Sequence, residues 1–169
     1  MNTRLSANSF GLDEPSEINR YLLFPLKGRD ILLGKNLGYA FIVGAQLSVM
    51  LPFALWRLGW REVYFGLIET AALFLAYLAW GNLASIIAPF KMRFYRMESG
   101  GPVITAMIGL ALCSLPCLVI IFLTQFNSKL LAAKIASILA LTALAYIGSL
   151  HFAGRKFERG WQNISRQLS

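Results

Sequence analysis

The charged residues of this chain are separated by four long stretches that contain no Asp, Glu, Lys or Arg. These stretches cover residues 36–56, 70–90, 99–128 and 135–154, and they are 21, 21, 30 and 20 residues long. An α-helix rises about 1.5 Å per residue, so about 20 apolar residues cross the roughly 30 Å hydrocarbon core of a bilayer. The pattern predicts an all-α, polytopic membrane protein with four transmembrane helices.

Composition agrees with this reading and excludes a soluble domain. Apolar residues make up 57% of the chain and charged residues 14%, and the mean hydropathy is +0.58. A soluble protein of 169 residues would need polar surface to cover four helices that are apolar on every side. The sequence does not contain that much polar surface.

The basic residues are distributed unevenly between the two predicted sides of the membrane. Twelve Lys and Arg residues lie on the side that holds both termini, against four on the other side. The positive-inside rule therefore predicts that both termini are cytoplasmic. We expect a cytoplasmic amphipathic segment at 1–35, a transmembrane domain at 36–154 and a cytoplasmic amphipathic tail at 155–169.

The formal net charge of +8 is explained by this topology and by attraction to anionic lipid headgroups. No stretch interleaves aromatic and basic residues on a soluble platform, as a surface for single-stranded nucleic acid would. We expect membrane lipids as partners and no nucleic acid.

The run FPLKGRDILLGKN at residues 24–36 comes close to a phosphate-binding loop but lacks its requirements. Such a loop has four residues between its first glycine and its Gly-Lys pair, and a Ser or Thr after the lysine. Here five residues separate Gly28 from Gly34, and Lys35 is followed by Asn36. We therefore expect no ATP at this segment.

Side chains suited to catalysis are few. Cys113 and Cys117 are four residues apart in an apolar stretch and match neither a redox pair nor a four-ligand zinc site. His151 is the only histidine. We expect no enzyme activity, no metal and no cofactor. Glu69 is the deepest acid in the chain and is a candidate for a substrate path. The alternative is that it is solvated at the outer surface, because it lies within a few residues of the outer boundary.

The segment before the first span carries signals for a short helix followed by a break. Pro25 and Gly28 end an amphipathic stretch, and Asp30 is in position to cap the helix that enters the membrane. Such a stretch can lie on headgroups or dock on a cytoplasmic partner.

Three runs of the chain stand out: LLFPLKGRDILLGKN at 22–36, NSFGLD from Asn8 and GNLASIIAPFKMR from Gly81. These runs resemble segments of the membrane-spanning (permease) subunits of type-two ATP-binding-cassette transporters. The first run is similar to the cytoplasmic coupling helix that is seated on the ATPase subunit in that family. The resemblance implies that this chain corresponds to the later part of a permease, with about its last four helices.

The resemblance also implies partners and site residues. A cassette ATPase subunit would hydrolyse ATP. The chain would form a homodimer or join another permease half, and the complex would be an exporter in the plasma membrane (the inner membrane) of a bacterium. Asn82, within the third run, joins Glu69 on the candidate substrate path. The residues expected to contact the ATPase are Leu22, Pro25, Leu26, Arg29, Asp30, Gly34 and Lys35.

An alternative class fits the same pattern of spans. A small membrane scaffold or assembly factor that transports nothing would need the helices but no ATPase partner. A stoichiometric ATP-hydrolysing partner distinguishes the two hypotheses.

Overall fold

The computed structural model describes residues 26–87, 103–125 and 131–168 of the chain, and every element in them is an α-helix. The prediction of an all-α protein is confirmed. The helices are α1 (Gly28–Leu58), α2 (Trp60–Ile87), α3 (Val103–Gln125) and α4 (Leu131–Leu168). α4 runs through residues 154 and 155 without a break, so the predicted tail continues the last helix.

Three of the helices are long and apolar enough to cross a membrane. These are Gly28–Leu58, Trp60–Ile87 and the Ala133–Gly160 part of α4, while α3 contributes a shorter apolar segment, Met107–Leu123. None of the 18 residues in the most apolar window of α1 is buried. A soluble protein rarely exposes so much contiguous apolar surface, whereas lipid tails cover it without cost. The helices therefore indicate a membrane protein.

A single residue connects α1 to α2. Gly59 has φ 88° and ψ 169°, and its N–H donates to the carbonyl oxygen of Leu55 at 3.2 Å. This backbone conformation is essentially restricted to glycine, because a Cβ would clash with the backbone. Gly59 therefore lets two long helices reverse direction with almost no loop.

Two apolar clusters hold the helices together at opposite ends of the bundle. One joins α1, α2 and α4 through Ile31, Leu32, Ile86, Ala153 and Phe157. The other is centred on Ala72 of α2, Ile120 of α3 and Ile135 of α4. α2 lies at the centre of the packing, with its most extensive contact against α4.

The backbones of α1 and α4 approach each other closely at a pair of glycines. A Cβ placed on Gly154 would lie 2.6 Å from the backbone nitrogen of Arg29, and one placed on Gly28 would lie 2.5 Å from the carbonyl oxygen of Gly154. Small residues at helix crossings permit such contacts in membranes. Gly28 and Gly154 therefore set the distance between α1 and α4 at this end.

We expect Gly154→Ala to destabilise the protein, because the added methyl group meets backbone atoms that cannot rotate away. Overpacking of this kind costs about 1–3 kcal/mol, which exceeds the roughly 1 kcal/mol that Ala gains over Gly in a helix. Thermal unfolding in mild detergent measures the effect.

Gly148→Ala, in the same helix, is the matched control, because a Cβ there meets no atom within 4 Å. It should leave the unfolding temperature unchanged or raise it. Equal unfolding temperatures for the two variants would show that the α1–α4 contact is looser than described.

Candidate functional site at the start of α1

The first two turns of α1 have a buried face and an exposed face. Gly28, Ile31, Leu32 and Asn36 are buried, and α1 packs here on α2 and α4. The exposed face carries apolar and charged groups together: Leu33 is 41% exposed, and Leu26, which lies just before the helix, is 54% exposed. We call the exposed group of Leu26, Arg29, Asp30 and Leu33 the entry face.

The charges of the entry face are paired with each other. Arg29 Nε lies 3.3 Å from Asp30 Oδ1, and both side chains are nearly half exposed. An exposed ion pair of this kind contributes about 0–1 kcal/mol to stability, so it does not hold the fold together. Both groups therefore remain available to a partner that contacts the surface of the helix bundle.

The start of α1 is capped by a residue that is distant in sequence. The Gly28 N–H donates to Glu158 Oε1 of α4 at 2.7 Å. A helix begins with N–H groups that have no partner within the helix, and a carboxylate satisfies one of them while balancing the positive end of the helix dipole. The prediction that Asp30 caps this helix is wrong. The helix begins earlier, Lys27 is its N-cap without a side-chain hydrogen bond, and Asp30 lies in the first turn.

A buried polar network joins α1, α2 and α4 one to two turns further along. Asn36 Nδ2 donates to Asn82 Oδ1 at 3.0 Å and to the Tyr146 hydroxyl at 3.3 Å. Asn82 Nδ2 donates to Ser149 Oγ at 3.1 Å, and Ser149 Oγ donates to the Tyr146 carbonyl oxygen at 2.7 Å. The Asn82 side chain is completely buried, and Asn36 is 3% exposed.

The network fixes how α1 is rotated and positioned along its axis relative to α2 and α4. Apolar packing in a membrane gives little preference for one rotation of a helix over another, whereas an unpaired amide in hydrocarbon is costly. Rotation or sliding of α1 would break both bonds of Asn36. The network and the Glu158 cap therefore attach the start of α1 to α4 at two levels.

The structure separates the predicted site residues into distinct groups. Leu22 and Pro25 lie outside the described residues. Gly34 is exposed beside the entry face, and Lys35 is half-buried. Their contact with an ATPase stays a prediction.

The two residues of the candidate substrate path are far apart on α2. Asn82 comes thirteen positions after Glu69, which is about 20 Å along a helix. Glu69 is half-buried, and its carbonyl oxygen accepts a hydrogen bond from Cys117 Sγ at 3.2 Å. Asn82 belongs to the buried network. Their role in a substrate path stays a prediction.

Within the described residues no group of three or more His, Cys, Asp or Glu side chains could hold a metal ion. One buried polar atom there, Trp80 Nε1, has no hydrogen-bond partner, and the indole packs against Gly109 of α3. The described residues of this site therefore offer hydrogen-bonding groups and an exposed face that is both apolar and charged.

No protein-family model, curated protein or solved structure matches the chain. The fold defines a helical membrane protein in which the entry face is attached to the bundle by a cap and a polar network.

The network predicts energetic coupling between Asn36 and Asn82. Replacing either residue by Leu leaves the partner amide buried without its hydrogen bond, whereas replacing both removes the two groups together. We expect a coupling energy between about 0.6 and about 1.7 kcal/mol in a double-mutant cycle, which are the average and the largest value measured for membrane hydrogen bonds. Unfolding in SDS titrations provides the four free energies.

Ser114→Ala with Asn82→Leu serves as the control pair, since Ser114 donates only to the Ala111 carbonyl oxygen in its own helix. This pair should be additive. Additivity of Asn36→Leu and Asn82→Leu as well would contradict the network.

Proposed function

We propose that this chain is a permease subunit, or part of one, of an ATP-binding-cassette exporter in a bacterial inner membrane. ATP is hydrolysed on a separate subunit that docks on the entry face. The observation that carries the proposal is that the segment resembling a coupling helix also bears an exposed apolar and charged face. Leu26 and Leu33 supply apolar contact, and Arg29 and Asp30 supply charge-assisted hydrogen bonds.

The opposite face of the same segment supports a mechanical role. A displacement imposed on Leu26 or Arg29 is transmitted to α4 through the Gly28–Glu158 hydrogen bond and the glycine contact. It reaches α2 through Asn36 and Asn82. Closely packed helices with directional hydrogen bonds move as units, so ATP-driven motion of the partner would rearrange the spans.

Assembly with a second permease half, or with a second copy of the chain, completes the transporter in this proposal. Both termini and the entry face then lie in the cytoplasm, in agreement with the distribution of basic residues.

Charge reversal of the entry face tests the proposal. Arg29→Glu combined with Asp30→Lys keeps the net charge and the local ion pair but inverts the pattern offered to a partner. We expect the tagged variant to insert into membranes normally. After purification in mild detergent, the amount of ATP-hydrolysing subunit bound to it should be lower than for the wild type by a factor of about ten or more, because misplaced charges at an interface cost several kcal/mol. Subunit stoichiometry and ATP hydrolysis of the purified complex are the measurements.

Arg61→Glu combined with Glu62→Lys is the matched control, because it also exchanges two adjacent exposed charges without changing the net charge, at the start of α2 and far from the entry face. It should leave the complex intact. A wild-type complex that is stoichiometric but hydrolyses no ATP would support the scaffold hypothesis instead. An ATPase retained equally by all three proteins would remove the entry face from the interface.

A further inference from the structure

A cleft lies between α2, α3 and α4, and it opens on the side of the bundle, where the lining residues Leu112, Leu141 and Phe152 are each at least half exposed. Its volume is about 500 Å³, within the roughly 300–1,000 Å³ typical of small-molecule sites. Ala79 and Trp80 of α2, Leu112 and Pro116 of α3 and Phe152 of α4 are among its lining residues, none of which is charged. In a membrane this opening faces lipid acyl chains, so the cleft suits an acyl chain rather than a charged solute.

The wall that α4 contributes to the cleft continues into a basic patch. Leu141, Ala145, Gly148 and Phe152 line the cleft at spacings of four, three and four residues. Lys156 and Arg159 follow Phe152 at four and seven residues and are exposed. Residues at these spacings share one face of a helix. A single face of α4 is therefore apolar beside the cleft and basic beyond it.

The depth of the basic patch matches that of lipid headgroups. Lys156 and Arg159 come two and five residues after the charge-free stretch 135–154, which is about 3–8 Å along a helix. The headgroup layer is about 5–8 Å thick on each side of the hydrocarbon core. A molecule in the cleft could thus place an anionic group against these two side chains.

The acids described at this end do not outweigh the basic side chains, because residues 155–159 hold three basic residues and one acid. Glu158 accepts the Gly28 N–H, and Asp30 pairs with Arg29. Arg155, three residues after Phe152 and also exposed, adds a further positive charge. The charge at this edge of the bundle therefore favours an anion.

We infer that one anionic phospholipid binds here, with an acyl chain in the cleft and its phosphate against Lys156 and Arg159. The apolar cleft selects the chain and the basic patch selects the headgroup. This site is separate from the entry face and does not depend on the ATPase docking proposed above.

Lipid binding to the purified full-length chain tests the site. Native mass spectrometry would compare phosphatidylglycerol with phosphatidylcholine of the same acyl chains, and we expect one phosphatidylglycerol to bind at least about tenfold more tightly, from two basic residues near the surface. Lys156→Gln with Arg159→Gln should abolish this preference while phosphatidylcholine binding is unchanged. Ala145→Phe, which fills the cleft, should weaken both lipids.

Ala140→Phe adds the same bulk at an exposed position outside the cleft, and Arg61→Gln removes a charge elsewhere; both should bind phosphatidylglycerol as the wild type does. The unfolding temperature of Ala145→Phe distinguishes a filled cleft from misfolding, because a folded variant with a filled cleft should unfold near the temperature of the wild type. The inference would be overturned if the wild type bound the two lipids equally, or if inorganic phosphate displaced the lipid. It would also be overturned if the variant with Lys156→Gln and Arg159→Gln lost a co-purifying protein and kept its lipid.

Discussion

The structure depends on the close approach of α1 and α4 at Gly28 and Gly154. With no side chain at either position, the two backbones come near enough for the Glu158 carboxylate to reach the first N–H of α1. The apolar cluster of Ile31, Leu32 and Phe157 then closes around the crossing. Because lipid tails are as apolar as the helices, van der Waals packing and hydrogen bonds must supply the attraction, and this crossing provides both.

The polar network extends this attachment into the apolar part of the bundle. Asn36, Asn82 and Ser149 come from three helices, and each satisfies a group that hydrocarbon could not. The same segment of α1 thus has one face fixed to α2 and α4 and another, the entry face, directed outward. That division of one short segment is what the proposed coupling function requires.

The local features of the fold could be predicted from the sequence, and the interhelical ones could not. Charge-free runs of about 20 residues predicted long apolar helices, because bilayer thickness sets helix length directly. The cap was assigned to Asp30, since capping rules consider only neighbouring residues, whereas Glu158 is 130 residues away. Asn36 and Ser149 were missed for the same reason: an Asn or Ser in an apolar run signals a buried partner without identifying it.

Amide hydrogen exchange at Gly28 tests the α1–α4 attachment most directly. The first N–H groups of a helix normally have no partner and exchange quickly, so protection at Gly28 reports the bond to Glu158. A bond from the Gly28 N–H to Glu158 predicts slow exchange in the wild type and exchange at least about tenfold faster in Glu158→Ala, a loss equivalent to about 1.4 kcal/mol. Fast exchange in both proteins, or the same protection in both, would contradict it.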